Sequence, residues 1–467
     1  MNRLAGIYRD LKSSLSTEDS FVRNAAYMVT GSGAGILIQL LTVPVIARIY
    51  DNPEVYGLFG LFSVYTNTLG GMAMLSYNMA FVLPEDETVF NRLLRLTLVT
   101  SALWCLVITL VVAVGGAQLA APLQLDGIGP WLYAIGPVAF LVAIDRILAD
   151  WSVRQRRFRA STIYGTANMA VNKGFNIAYG KFVSNHTDGL MWTHVLNYLL
   201  NPLLSGLFVI RNFRSAVFAR VSWADLVATA KAYRHYPEFF FWGSSVQVLS
   251  AGLPAVMLPV LGFGLESVAM FSWAIVVLEM PLRMMGSGVS SVFLNKSAEI
   301  VQQRPDELAL HTRRLFRVML MLTAACMSLI YLFGEPLFSL MLGPAWRQAG
   351  ELASVLSIYY FFRLLSVPLS VLFGVLRKER EFFLYHMLIF VVRVTSLMLA
   401  ALTTRDLVTL MMIFSLANAA VYAVFTVRVL NLAGIPARPA VLQLLAWSLG
   451  VFILCAAVKG FMLNAYC

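Results

Sequence analysis

From residue 22 onward, apolar stretches long enough to cross a bilayer follow one another almost without interruption. A helix needs about 20 apolar residues to span the hydrocarbon core. That length is met at 22–49, 54–83, 90–115, 129–149, 160–183, 188–210, 236–261, 265–291, 312–333, 347–375, 381–402, 406–430 and 440–462. Barrel strands would alternate apolar and polar residues in runs of about ten. These runs are continuously apolar and about twice as long, so the expected fold is an all-α polytopic membrane protein. With 59% hydrophobic residues and only 13% charged, against about a quarter charged in soluble domains, disorder, coiled coil and an ordinary soluble enzyme are excluded.

The net charge of +11 does not signal nucleic acid in such a chain, because basic residues collect in cytoplasmic loops for topological reasons. With the N-terminus inside, segments 1–23, 84–95, 146–159, 211–234, 295–317, 376–380 and 428–439 hold 26 of the 35 Lys and Arg residues. The opposite loops are short and carry chiefly Lys181, Arg347 and Arg405, which leaves no room for an extracytoplasmic catalytic domain. The expected location is a plasma (inner) membrane with a cytoplasmic N-terminus. The polar first twenty residues do not read as a signal peptide. Leu4, Ile7, Leu11 and Leu15 recur there at helical spacing among Arg3, Arg9 and Lys12, a pattern that suits an amphipathic helix on the cytoplasmic leaflet. Cys105, Cys326, Cys455 and Cys467 lack metal-ligand spacing. No metal site, phosphate-binding glycine loop or nucleophile with a base is visible, so neither a cofactor nor an enzymatic activity is expected.

The basic connection 211–235 divides the chain into an N-lobe, 22–210, and a C-lobe, 236–430, of six helices each. A tail, 1–21, precedes them, and 431–467 holds one extra helix. Three pairs of short matches recur in the same order: EVYGLF at 54–59 with ESVAMF at 266–271, Gly129-Pro130 with Gly343-Pro344, and VRQRR at 153–157 with LRKER at 376–380. Because six is even, such repeats enter the membrane from one side. They are therefore parallel, two pseudo-symmetric lobes around a central cavity, as in rocker-switch transporters.

Ionisable groups at bilayer depth are costly and mark function. At about 1.5 Å of rise per residue, Lys173, Arg363 and Arg393 all lie roughly 18–20 Å from the cytoplasmic ends of their helices. Arg283 lies nearer the cytoplasmic mouth and Arg48 near the outer end. Glu279, one turn from Arg283, can neutralise it locally, whereas no acidic residue has a comparable position near the three midplane cations. Unpaired cations at that depth should face water, and a cavity with excess positive charge receives an anion, Arg by its planar fork and Lys by a point charge. Asp145 beside Arg146 reads as interfacial, and His186 and His194 lack a third metal ligand.

The stretch RIYDNPEVYGLF at 48–59 resembles the first-loop signature of bacterial Wzx-type oligosaccharide and exopolysaccharide flippases. These are the polysaccharide transporters of the multidrug/oligosaccharidyl-lipid/polysaccharide exporter superfamily. AFVLP at 80–84, the basic aromatic loop 151–159, YPEF at 236–239 and GPAW at 343–346 fit in the same order. The resemblance implies two six-helix lobes around a cationic cavity that holds a diphosphate and acidic sugars. The implied activity is moving an undecaprenyl-diphosphate-linked repeat unit to the outer leaflet for O-antigen, capsule or exopolysaccharide synthesis. The odd helix count departs from that family's pattern. On this reading Lys173, Arg363 and Arg393 bind the diphosphate, Arg283 guides entry and Arg48 contacts cargo near the exit. Glu279 and Asp145 are candidate coupling sites, and a polysaccharide polymerase or chain-length regulator is a candidate partner. Two relatives in the superfamily stay open: a drug exporter, disfavoured by the lack of mid-depth acids in the first three helices, and a lipid II flippase.

Overall fold

The computed structural model describes residues 21–155, 158–217 and 221–465. The expected tail helix, Arg156, Arg157 and Cys467 lie outside the described residues. The helices are α1 (Phe21–Ile49), α2 (Pro53–Met72), α3 (Glu87–Ala120), α4 (Trp131–Arg154), α5 (Phe158–Phe182), α6 (Thr187–Val217), α7 (Trp223–Ala232) and α8 (Phe241–Val260). They continue as α9 (Gly264–Gln303), α10 (Leu308–Leu342), α11 (Arg347–Leu369), α12 (Leu372–Val375), α13 (Glu379–Thr403), α14 (Leu407–Leu432) and α15 (Ala437–Ala465). Each of the thirteen apolar segments of the sequence contains one long helix, and no strand occurs among the described residues. In lipid every backbone N–H and C=O must be satisfied within the chain, which a helix does along its own axis.

Among the described residues nine helices are long and apolar enough to cross a membrane, and the protein is a multi-pass membrane protein. Within the same residues α2, α5 and α6 fall short of that mark. On α2 and α5 the deficit comes from polar residues, Ser63, Thr66 and Asn67 on α2 and Asn168, Asn172, Lys173 and Asn176 on α5, and α6 carries His194, Asn197, Tyr198 and Asn201. The polar face of the N-lobe is thus concentrated on three helices.

Local chemistry sets the helix ends. Pro53 fits the first turn of α2, where its missing N–H costs nothing, and Asn52 caps that turn by accepting from the Glu54 N–H at 2.9 Å. Asp86 caps α3 and Asp406 caps α14 in the same way. Ser222 and Asp225 form a reciprocal capping box on α7. α3 bends at Gly116, whose φ of 44° is one that glycine tolerates. The run 54–83 is not one helix. α2 stops at Met72, Leu75 and Ser76 take left-handed conformations, and a 3₁₀ turn follows over Tyr77–Val82.

The chain forms two lobes with the same internal pairing. In the first, α1 packs on α5, α2 on α4, α3 on α4, α4 on α6 and α5 on α6. In the second, α8 packs on α13, α9 on α11, α10 on α11, α11 on α14 and α13 on α14. The extra C-terminal helix α15 lies against α10 and α14, with Phe452 between Tyr331 and Phe361. The core runs through both lobes. α11 is its most enclosed helix, carrying the fully buried Tyr360, Phe361 and Leu365.

Candidate functional site

The C-lobe brings two of the sequence-predicted cations into one polar network. Arg363 on α11 donates from Nη1 to Glu279 Oε1 on α9 at 2.8 Å and to the Tyr360 hydroxyl at 2.7 Å. The Tyr360 hydroxyl in turn donates to the same Glu279 oxygen at 3.3 Å. The guanidinium lies 5.0 Å from the Tyr360 ring centroid, a cation–π contact. Tyr359, the preceding residue, carries the network to Arg393 on α13, whose Nη2 donates to the Tyr359 hydroxyl at 2.5 Å. Arg393 Nη1 also donates to the Ser250 carbonyl at 2.6 Å and the Ser250 hydroxyl at 2.9 Å, and its Nε donates to Asn418 Oδ1 at 3.4 Å.

These contacts correct the expectation that the midplane cations lack an acidic neighbour. α9 crosses α11 so that Glu279 faces Arg363, a pairing across 84 residues that local helix spacing does not reveal. The two arginines also differ in setting. The Arg363 and Glu279 side chains keep 20% and 22% exposure. Arg393 is 7% exposed and surrounded by neutral acceptors.

Lys173 lies in the other lobe, half-buried on α5. One residue before it, Asn172 donates to the Thr193 carbonyl at 2.7 Å, and Asn168 donates to Asn197 Oδ1 at 3.1 Å, tying α5 to α6. No contact links Lys173 to the C-lobe network among the described residues. Asp145 on α4 accepts from Asn201 on α6, and Arg146 reaches the Asn67 carbonyl at 3.4 Å. Asn67 accepts from the Tyr198 hydroxyl at 2.8 Å. His194 is bonded to Ser63 and Thr66 of α2 at 3.3 and 3.0 Å, which accounts for it as a tie between helices. Arg283 falls on α9 one turn beyond Glu279, and its side chain lies outside the described residues.

Arg48 serves a different end of the molecule. It donates from Nη2 to the Leu340 carbonyl of α10 at 2.9 Å, joining the lobes at the end where basic residues are sparse. Beside it Trp346 Nε1 donates to the Ala47 carbonyl at 3.3 Å. Tyr56 of α2 meets Trp273 of α9 at 5.2 Å and Trp346 at 5.1 Å, and the two tryptophans lie 5.7 Å apart. All three rings are buried. Gly57 brings α2 so close to α9 that a Cβ there would lie 2.1 Å from the Leu265 carbonyl oxygen. This end of the cleft between the lobes is sealed. Sequence reasoning missed the aromatic triad and the tyrosine pair, although Tyr360 and Arg363 at helical spacing carried the signal for the latter.

No family model matches the sequence, and no curated protein does. Solved structures do. An inward-facing multidrug resistance MATE family transporter of the MOP superfamily superposes with a TM-score of 0.67 at 14% identity, over 85% of this chain and 96% of that one. The lipid II flippase MurJ in an inward closed conformation gives 0.68 at 11% identity, over 92% of each chain. The chain has the two-lobe MATE/MurJ transporter fold. An outward-facing MATE transporter gives 0.55 at 15% identity, over 88% of this chain and 97% of that one.

Proposed function

We propose that this protein is a flippase that carries an undecaprenyl-diphosphate-linked oligosaccharide repeat unit from the cytoplasmic to the periplasmic leaflet by alternating access. The observation that supports the reading is the partly exposed Arg363, held by Glu279 and Tyr360 inside a two-lobe transporter fold. An arginine at bilayer depth is costly unless it serves a water-filled path, and its fork matches phosphate oxygens.

On this reading the sealed end is the periplasmic one, and cargo enters from the basic, cytoplasmic side. Arg283 guides the diphosphate in, Arg363 and Lys173 hold it from opposite lobes, and Arg393 braces the site. Neutralising charge on both lobes favours closure of the cytoplasmic mouth. Opening then parts Tyr56 from Trp273 and Trp346 and releases Arg48 from the Leu340 carbonyl, freeing it for the departing cargo. Glu279 and Asp145 are the candidate coupling sites, and the polyprenyl tail stays in lipid. A polymerase or chain-length regulator would receive the repeat unit outside.

The test is the phenotype of cells lacking the protein. Loss of surface polysaccharide with unchanged drug susceptibility and intact cell walls supports this cargo. Drug hypersensitivity alone would move the assignment to a multidrug exporter, and wall lysis alone to a lipid II flippase.

A further inference from the structure

Glu279 holds one terminal nitrogen of the Arg363 guanidinium, a donor that suits a phosphate oxygen equally well. Its Oε1 takes the 2.8 Å bond from Nη1, and the Tyr360 hydroxyl accepts from the same guanidinium nitrogen while donating to the same carboxylate oxygen. Both charged side chains are about one-fifth exposed, so the pair is not fully enclosed by protein. Arg393 offers a contrast. Its partners Ser250, Tyr359 and Asn418 are all neutral, and none of them competes with an anion for charge.

The geometry points to Glu279 as an internal stand-in for the cargo anion, whose protonation vacates Arg363 for a diphosphate. This deepens the flippase reading and rests on it. The step moves one proton from cytoplasmic water onto the Glu279 carboxylate. The neutral acid releases the guanidinium, and the diphosphate takes the vacated bond. When the diphosphate leaves, Glu279 returns its proton to the solvent it then faces and re-forms the pair. Cargo and proton therefore load together. Tyr360 is a positioning residue, because it holds the carboxylate and guanidinium to one geometry.

The charged and titratable surroundings are consistent with an exchange centred on this pair. From α11 the pair is faced by Tyr359 and Tyr360, from α13 by Arg393 and from α14 by Tyr422. α1, α2, α8 and α12 also pack on α9; α1 carries charge only near its ends, at Arg23 and Arg48, α2 only at Glu54 in its first turn, and α8 and α12 carry none. α10 carries Arg313, Arg314 and Arg317 near one end and Glu335 near the other. Arg283 shares α9 one turn away.

The experiment is a binding titration of the full-length protein in lipid nanodiscs with UDP-glucose. This probe is a diphosphate diester whose phosphate charges do not titrate between pH 5.5 and 8. The wild type should bind about tenfold more tightly at pH 5.5 than at pH 8. Glu279→Gln should bind with the wild type's low-pH affinity at both values, and Arg363→Gln weakly at both. Tyr360→Phe loosens the hold on the carboxylate and should raise affinity at pH 8 several-fold, giving a second test with both charges intact. A Glu279→Gln protein that keeps the wild-type pH dependence, or a Tyr360→Phe protein that binds as the wild type does, would overturn the exchange. The cargo assignment is tested separately by lipid analysis. Accumulated lipid-linked glycan in depleted cells with no effect of Glu279→Gln on pH dependence sinks the exchange alone. The converse sinks the cargo alone.

Discussion

Tyr56 of α2 and Trp346, just before α11, meet edge to face at 5.1 Å with an interplanar angle of 88°. One ring comes from each lobe, so the contact exists only while the lobes are closed at this end. Aromatic pairs of this kind contribute about 0.5–1.5 kcal/mol each beyond their area burial. Tyr56→Ala removes two such pairs between the lobes and should raise the open fraction on the order of tenfold. The check is Ala47→Cys, at a position fully buried beneath Trp346. That thiol should resist a membrane-impermeant maleimide when Tyr56 is present and react when Ala47→Cys is combined with Tyr56→Ala.

Gly57 tests the same closure from the backbone side. Because its Cβ would lie 2.1 Å from the Leu265 carbonyl oxygen, Gly57→Val must push α2 and α9 apart. Transport should be lost, and the thiol introduced by Ala47→Cys should become reactive. Gly174→Ala on α5 is the matched control, since nothing lies within 4 Å of a Cβ there. It should leave both properties unchanged.

The Arg363–Glu279 pair should show strong coupling in stability. Removing Glu279 takes from Arg363 its carboxylate partner, at a cost of about 3–5 kcal/mol. Glu279→Gln should therefore lower the thermal midpoint of the detergent-solubilised protein markedly. Arg363→Gln with Glu279→Gln should recover much of the loss, with a coupling of at least about 1 kcal/mol in the double-mutant cycle. Strict additivity would show that the two groups do not share an environment.

Thirteen helices were readable in the sequence because hydrocarbon admits few alternatives for runs of that length and apolarity. The repeat was readable too, and its matches fall on equivalent places. Glu54 and Glu266 lie in the first turns of α2 and α9, and Gly129 and Gly343, which precede α4 and α11, both have positive φ. What the sequence concealed was contact between distant segments. Spacing along one helix points only to Arg283 as a neighbour of Glu279, and it takes the crossing of α9 and α11 to bring Arg363 there. The break after Met72 was hidden for a related reason, since Leu75 and Ser76 are ordinary residues whose left-handed conformations depend on surrounding packing.

Arg393 is held by four hydrogen bonds that it donates to three neighbours on other helices. Hydrogen bonds to charged groups are worth about 1.5–3 kcal/mol each. Arg393→Ala should cost stability before it costs cargo affinity, with a fall of roughly 3 kcal/mol or more. A variant that folds with wild-type stability yet fails to bind UDP-glucose would make Arg393 a direct ligand instead of a brace.

The central claim, that a polyprenyl-diphosphate glycan crosses the membrane through this protein, is tested most directly by extracting lipids from cells depleted of it. The account predicts that a polyprenyl-diphosphate oligosaccharide accumulates and stays inaccessible to glycosidases added outside. Wild-type protein should clear it, and Arg363→Ala with Arg393→Ala should not. No accumulation, with surface polysaccharide unchanged, would contradict the account.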